Sequence, residues 1–166
     1  RASGHEVPGE ADFVAGFEPA SVRDAGCGTG RVGIELVRRG IDSVGVDLDP
    51  KMLEAARKKA PTLEWFEADL QNFSLGRSFD IAILAGNVMI FVLPGSEERV
   101  VRQIAHHLRK GGLFVSGFSL DADGFDLDQY DQIMKRLGLM AAGRWSAWER
   151  DPFTGDNYAV SAHRKT

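Results

Sequence analysis

Short apolar runs, several closing on an acid, alternate with stretches of helical periodicity along this chain. Residues 21–25 (Ser-Val-Arg-Asp-Ala) follow the break at Pro19 and predict a first strand. Residues 31–39 predict a helix, with Val32, Ile34, Leu36 and Val37 apolar and Gly40 as its C-terminal stop. A second strand over 43–47 ends in Asp47. Asp49 and Pro50 then form a strong helix start, because aspartate caps and the first helical position needs no N–H. That helix runs to about Ala60, and Pro61 ends it. Residues 63–66 predict a third strand. Residues 79–85 form a nearly continuous apolar run, suited to a strand buried on both faces. Residues 97–109 predict a helix with Val100, Val101, Ile104, Ala105 and Leu108 inward. Lys110-Gly111-Gly112 is expected to turn into a fifth strand over 113–118. A helix over 126–137 stops at Gly138. Two further strands, 139–149 and 157–164, flank a turn at 152–156. Ahead of all this, residues 1–16 predict a short helix at best, reaching the core through Phe13 and Val14 or Phe17.

Five rounds of strand and helix imply an α/β fold, with a parallel sheet and helices on both faces. The closing hairpin adds at least one antiparallel strand at an edge. The 166 residues suit one domain able to bury about 70% of its unfolded surface. No apolar run approaches the ~20 residues of a membrane span. A formal net charge of −4 argues against nucleic acid as the main partner, which calls for a basic face. Cys27 is the one cysteine, so no intrachain disulfide and no cysteine-based metal site is expected. No signal-peptide pattern is seen, so the default location is cytoplasmic. The chain begins at Arg1 rather than Met, which leaves its native start open.

The chemistry centres on Asp24-Ala-Gly-Cys-Gly-Thr-Gly30, a strand end followed by alternating glycines and a helix start. Glycine lets a ligand lie against the main chain, and the helix N-terminus offers free N–H groups. Two fingerprints overlap here. Gly26, Gly28 and Gly30 form GxGxG after an acid, while Gly28, Gly30 and Gly33 match the dinucleotide pattern GxGxxG. Asp47, at the end of the second strand, serves either reading by accepting from ribose hydroxyls. Asp24 separates them. Its carboxylate repels a pyrophosphate and favours a ligand carrying ammonium and sulfonium centres. Asp69, after the third strand, can accept from an adenine amino group.

These residues resemble a known family, the class I S-adenosylmethionine-dependent methyltransferases of the small seven-stranded type. Asp24–Gly30 matches its glycine motif, and Gly45-Val-Asp-Leu-Asp-Pro-Lys-Met-Leu53 its acidic second-strand motif. Glu67-Ala-Asp-Leu70 matches the adenine motif, Phe79-Asp-Ile-Ala-Ile-Leu84 the fourth strand, and Leu108-Arg-Lys-Gly-Gly-Leu113 the approach to the fifth. The motifs run in family order over 21–118, and the hairpin extends the match to about 164. The resemblance implies a Rossmann-like three-layer sandwich with strand order 3-2-1-4-5-7-6 and strand 7 antiparallel. It implies S-adenosylmethionine as cofactor and a small-molecule methyl acceptor. Gly26, Cys27, Gly28 and Gly30 would line the methionine part, with Asp24 near its amine. Asp47 would hold the ribose, Leu48 and Met52 would pack near adenine, and Asp69 and Leu70 would meet its edge. Ala85, Gly86 and Asn87 would border the methionine moiety and the substrate side. Residues 21–166 would be the catalytic domain, and a remnant of a substrate lid is one reading of residues 1–20.

Arg23 departs from the family, which usually has an apolar residue there. A buried guanidinium is costly unless paired, so Arg23 is expected to reach Asp24, another acid or solvent. Cys27 is expected to be a small packed residue, and no catalytic base is named. His106 and His107 are expected on the surface, His163 at a strand end, and His5 in the N-terminal segment. Trp145 and Trp148 are expected on opposite faces of one strand. Asp121, Asp123, Asp126 and Asp128 are expected to be solvated or capping, on the substrate side. Asn87 is the best polar candidate for touching a substrate. Two other classes stay open: a nicotinamide-dependent oxidoreductase using Gly28, Gly30 and Gly33, and a cofactor-binding module without catalysis. The acceptor atom and the oligomeric state are open as well.

Overall fold

The computed structural model describes residues 6–120, 125–155 and 157–166; His5, Asp121 and Asp123 lie outside the described residues. The chain runs α1 (Glu6–Ala15), β1 (Ser21–Ala25), α2 (Arg31–Arg38), β2 (Asp42–Asp47), α3 (Pro50–Lys59), β3 (Glu64–Glu67) and β4 (Phe79–Leu84). It continues α4 (Val88–Phe91), α5 (Glu97–His106), β5 (Leu108–Ser119), α6 (Leu127–Arg136), β6 (Leu139–Trp145) and β7 (Tyr158–Lys165). The seven strands form one sheet in the order β3-β2-β1-β4-β5-β7-β6. The pairs among β1 to β5 are parallel, and β7 runs antiparallel to both β5 and β6. Strand order and direction are those the resemblance implies.

Alternation along the strands builds two cores. Val22, Ile81, Ile83, Val115 and Val160 face α1 and α2, where they meet Phe13, Val14 and Leu36. Ala25, Ala82, Leu84, Phe114 and Phe118 face α5 and α6, against Val101, Ile104, Tyr130 and Met134. Because β4 is covered on both sides, its sequence reads as a nearly continuous apolar run rather than an alternating one.

The helix ends follow local chemistry. Asp49 accepts from the Lys51 N–H at 2.9 Å, with Pro50 at the first turn of α3. Gly40, at φ 84°, closes α2 by a Schellman turn, in which Gly40 N–H donates to Val37 and Ile41 N–H to Leu36. Asp126 and Gln129 cap α6 reciprocally.

The structure corrects four expectations. Helix α5 ends at His106 and β5 begins at Leu108, ahead of the Gly111-Gly112 turn rather than after it. Leu108 pairs with Phe79, the ladder slips between Phe79 and Ile81, and it resumes at Leu113. The glycines therefore form an irregularity inside the strand, with Gly111 at φ 83°. Strand β6 stops at Trp145, which bridges to Pro152. Trp148 thus leaves the strand, and both tryptophans pack edge-on against Phe13, at 4.8 and 5.5 Å between ring centroids. Third, His107, expected on the surface, is buried at 2% exposure. Fourth, Arg23 is fully buried and reaches no acid among the described residues. Its Nη1 lies 3.0 Å from His107 Nδ1, and its guanidinium lies 4.9 Å from the centre of the Phe73 ring.

Candidate active site

The glycine turn leaves β1 at the carboxyl end of the sheet, where ligands bind in open α/β folds. Gly26 and Cys27 both donate to the Val46 carbonyl, at 2.8 and 2.9 Å. Gly26, Gly28 and Gly30 take φ of 74°, 57° and 84°, the left-handed region that a Cβ disfavours. Space treats the three differently. A Cβ on Gly26 would fall 2.7 Å from a Val88 methyl, and one on Gly30 2.5 Å from the Trp65 ring. A Cβ on Gly28 would meet nothing within 4 Å, so this backbone faces a cradle rather than the core. Gly33 presses α2 onto β2, within 3.0 Å of Ser43 Oγ for an added Cβ.

A cleft of about 630 Å³ runs over the ends of β1 to β4 and is lined by Gly26, Gly28, Asp47, Leu48, Met52, Asp69, Leu70 and Gly86, among others. Beside it lies a recess of about 310 Å³ that shares Gly26, Gly28, Met52 and Gly86 and adds Asp24, Cys27 and Ala85. Gly30 and Asn87, both expected at the site, stand behind this lining. Gly30 starts α2. Asn87, at φ 64°, accepts from the Ser119 N–H at 2.8 Å and so ties the end of β4 to that of β5. A larger cavity of about 700 Å³ lies at the far sheet edge between α6 and β6; none of these strand-end groups lines it.

Three carboxylates come from consecutive strand ends. Asp47 accepts from the Gly28 N–H at 2.7 Å and the Asp49 N–H at 2.9 Å. It therefore shapes the turn while each oxygen keeps a second lone pair. Asp69 accepts from the Gln71 N–H at 2.9 Å, which holds its own loop. Asp24 is 2% exposed, and its Oδ2 has no hydrogen-bond partner among the described residues. Burial pushes its carboxyl up to about 7, helped by the charges of Glu10 and Asp47; the nearby Gly33 main chain and the charge of Arg31 work against this. Burial raises the Cys27 thiol as well, with Asp24 and Asp47 adding to it, so this sulfur is no nucleophile.

Sequence reasoning puts the substrate beside residues 86–91 and the loop 119–128, and misses that the apolar wall runs on to Val92 and Leu93. Val88, Phe91, Val92 and Leu93 line the cleft from α4 and the turn after it. Phe91 is 75% and Leu93 69% exposed, and Leu48 is 63% exposed across the mouth. A helix of four residues leaves almost no periodic signal. The available cue is the run Val88-Met-Ile-Phe-Val-Leu93 directly after a buried strand.

A methyltransferase-domain family model matches residues 22–112. A trans-aconitate 2-methyltransferase from Azoarcus sp. strain BH72 is 33% identical over 78% of this chain and 48% of its own length. A dTDP-3-amino-3,4,6-trideoxy-alpha-D-glucopyranose N,N-dimethyltransferase from Streptomyces venezuelae is 33% identical over 59% of this chain and 42% of its own. Among solved structures, a TehB-like SAM-dependent methyltransferase from Corynebacterium glutamicum superposes with a TM-score of 0.89 at 31% identity, covering 95% of this chain and 88% of that one. The chain belongs to the class I S-adenosylmethionine-dependent methyltransferase family. It spans about half or less of the length of these curated relatives.

Proposed function

We propose that this chain binds S-adenosylmethionine in the strand-end cleft and transfers its methyl group to a small-molecule acceptor. The observation that carries this reading is the buried Asp24 carboxylate, which lines the recess beside the open Gly28 cradle. A buried carboxylate without a counter-charge is costly, and a ligand ammonium in the recess supplies one. A pyrophosphate at the same place would meet a carboxylate instead.

In this reading Asp24 acts at the methionine amine, and Gly26, Cys27 and Gly28 present backbone to the methionine part. Asp47 takes the ribose hydroxyls with its remaining lone pairs while it keeps the Gly28 turn fixed. Asp69 and the Leu70 main chain meet the adenine edge, and Leu48 and Met52 cover its face. Ala85 and Gly86 border the reacting end. When bound, the cofactor supplies an electrophilic methyl on a sulfonium. The chain's own contribution is then alignment and exclusion of water, and the reading assigns no residue as a base. The apolar wall of Val88, Phe91, Val92 and Leu93 is placed to take the acceptor's apolar part. Glu10 on α1 is buried, and its charge acts on Asp24. The test is formation of S-adenosylhomocysteine with a panel of carboxylate, amine and hydroxyl acceptors. Turnover with at least one member is expected. Cofactor binding without turnover on any member would reduce the chain to a binding module.

A further inference from the structure

The segment that carries Asp69 is fastened from beneath the sheet. Phe73 N–H donates to the Asp69 carbonyl at 3.0 Å. The Phe73 carbonyl accepts from Gln103 Nε2 at 2.6 Å. The Phe73 ring packs against both the Arg23 guanidinium, 4.9 Å from its centre, and the His107 ring, stacked at 6.2 Å between centroids. Two residues on, Leu75 N–H donates to His107 Nε2 at 2.8 Å.

That last bond fixes the histidine tautomer. An Nε2 that accepts carries no proton, so the neutral ring holds its proton on Nδ1. This Nδ1–H points at the Gln103 carbonyl, 2.9 Å away. Arg23 Nη1, 3.0 Å from the same Nδ1, therefore faces a donor and gains no hydrogen bond. Its Nε and Nη2 are also without partners among the described residues, and the side chain is fully buried. What Arg23 has is the face of Phe73, a cation–π contact made stronger by desolvation. For stability alone, an apolar residue of similar volume is the better choice at this position.

We propose that Arg23, Phe73 and His107 form a buried clamp that positions the Asp69–Leu75 segment, and with it the adenine side of the site, and that the clamp opens when His107 is protonated. This rests on the reading of the cleft as an adenosyl-cofactor site. The imidazolium has no acceptor for Leu75 N–H, and its charge lies against the guanidinium. The titratable groups that act on His107 are Arg23 on β1 and His106 beside it, both unfavourable to a second positive charge. Burial, the largest cause, works in the same direction and lowers the ring's pKa from the ordinary histidine value. Arg23 and His107 are positioning residues; neither lines the cleft.

The test uses 5′-methylthioadenosine, which has an adenine and a ribose but no amino-acid part, so that titration of Asp24 stays out of the measurement. Its affinity is followed by calorimetry from about pH 8 to about pH 4.5, below the ordinary histidine range. Wild type should weaken on acidification more than His107→Gln, which keeps an acceptor without a titrating proton, by roughly three- to tenfold. Arg23→Met should bind more weakly than wild type at neutral pH by a similar factor while melting at a higher temperature. A reading free of variants is amide exchange, corrected for its intrinsic rate. Protection at Leu75 should fall on acidification, while Phe79 N–H, which donates to the His107 carbonyl at 2.7 Å, should hold. Parallel pH profiles in wild type and His107→Gln, unchanged binding by Arg23→Met, or a Leu75 amide indifferent to acid would each overturn the clamp. A wild type that binds neither 5′-methylthioadenosine nor S-adenosylhomocysteine would overturn the cofactor reading itself.

Discussion

Arg23 and Asp24 are neighbours on β1, both buried, of opposite charge, and turned to opposite faces of the sheet. Each keeps polar atoms without a partner among the described residues. The difference lies in what each side chain borders. Asp24 lines a recess of about 310 Å³, so a counter-charge can arrive with a ligand. Arg23 lines no cavity described above and packs against an aromatic ring and an imidazole. An unsatisfied buried group beside open space marks a binding site. The same deficit within packed side chains marks a cost carried for positioning.

The largest expected effect is on the ligand face. Gly28→Val places a branched side chain in the cradle at φ 57°, where such residues are strained. Affinity for S-adenosylhomocysteine should fall more than a hundredfold, about 2.7 kcal/mol or more, in a protein that still melts cooperatively. Normal binding would make the turn purely structural.

Asp47→Ala comes next. It removes hydrogen bonds to a charged acceptor, roughly 1.5–3 kcal/mol, or on the order of 10- to 150-fold in affinity. The loss includes disorder of the turn, because Asp47 also holds Gly28. A folded variant with an unchanged dissociation constant would take Asp47 out of the site.

Asp24→Asn tests the charge directly, with an expected loss of about tenfold for S-adenosylhomocysteine at pH 8. The unliganded protein should show the opposite sign. The folded-state pKa of Asp24 is raised from 3.8 to about 7, so the native state binds the extra proton between these values. Stability from this group is gained as pH falls through about 7 and lost as pH rises. Asp24→Asn should therefore out-stabilise wild type above pH 7, and the gap should close towards pH 4. Thermal melts across that range would refute this if the gap were constant.

These sites were legible to different degrees. The cleft was readable because its groups sit at fixed offsets from strand ends: Asp24 before the turn, Asp47 closing β2, and Asp69 just past β3. Local order along the chain is enough to gather them. The other face of β1 was not readable. Arg23 meets His107 across 84 positions of sequence, and nothing near either residue announces the other. His107 looked exposed because the helix was read to Arg109, whereas β5 starts at Leu108 and draws the histidine inward. Trp148 was misplaced for a related reason. A strand was extended by its apolar content, but Arg150, at φ 70°, donates to the Phe13 carbonyl from the bend that follows β6. Asn87 was expected to face substrate, and one of its two side-chain polar groups, Oδ1, is taken by the Ser119 N–H.

Effects on stability rather than affinity sharpen the contrast. On the packed face, Arg23→Met should raise stability by about 1–4 kcal/mol, the usual range when a buried charge gives way to an apolar residue. Chemical denaturation would contradict this by showing a loss. Asn87→Ala should cost about 1 kcal/mol through the lost bond to Ser119 and leave S-adenosylhomocysteine affinity nearly unchanged. A large loss of affinity at constant stability would return Asn87 to the cleft wall.

The central claim is that the ligand face of β1 holds an adenosyl cofactor through its amine, ribose and adenine rather than a dinucleotide through its pyrophosphate. Calorimetric titration of the wild-type chain with S-adenosylhomocysteine and, separately, with NAD tests it most directly. The account predicts saturable one-to-one binding of S-adenosylhomocysteine and no measurable binding of NAD under the same conditions. Binding of NAD with no heat from S-adenosylhomocysteine would contradict it.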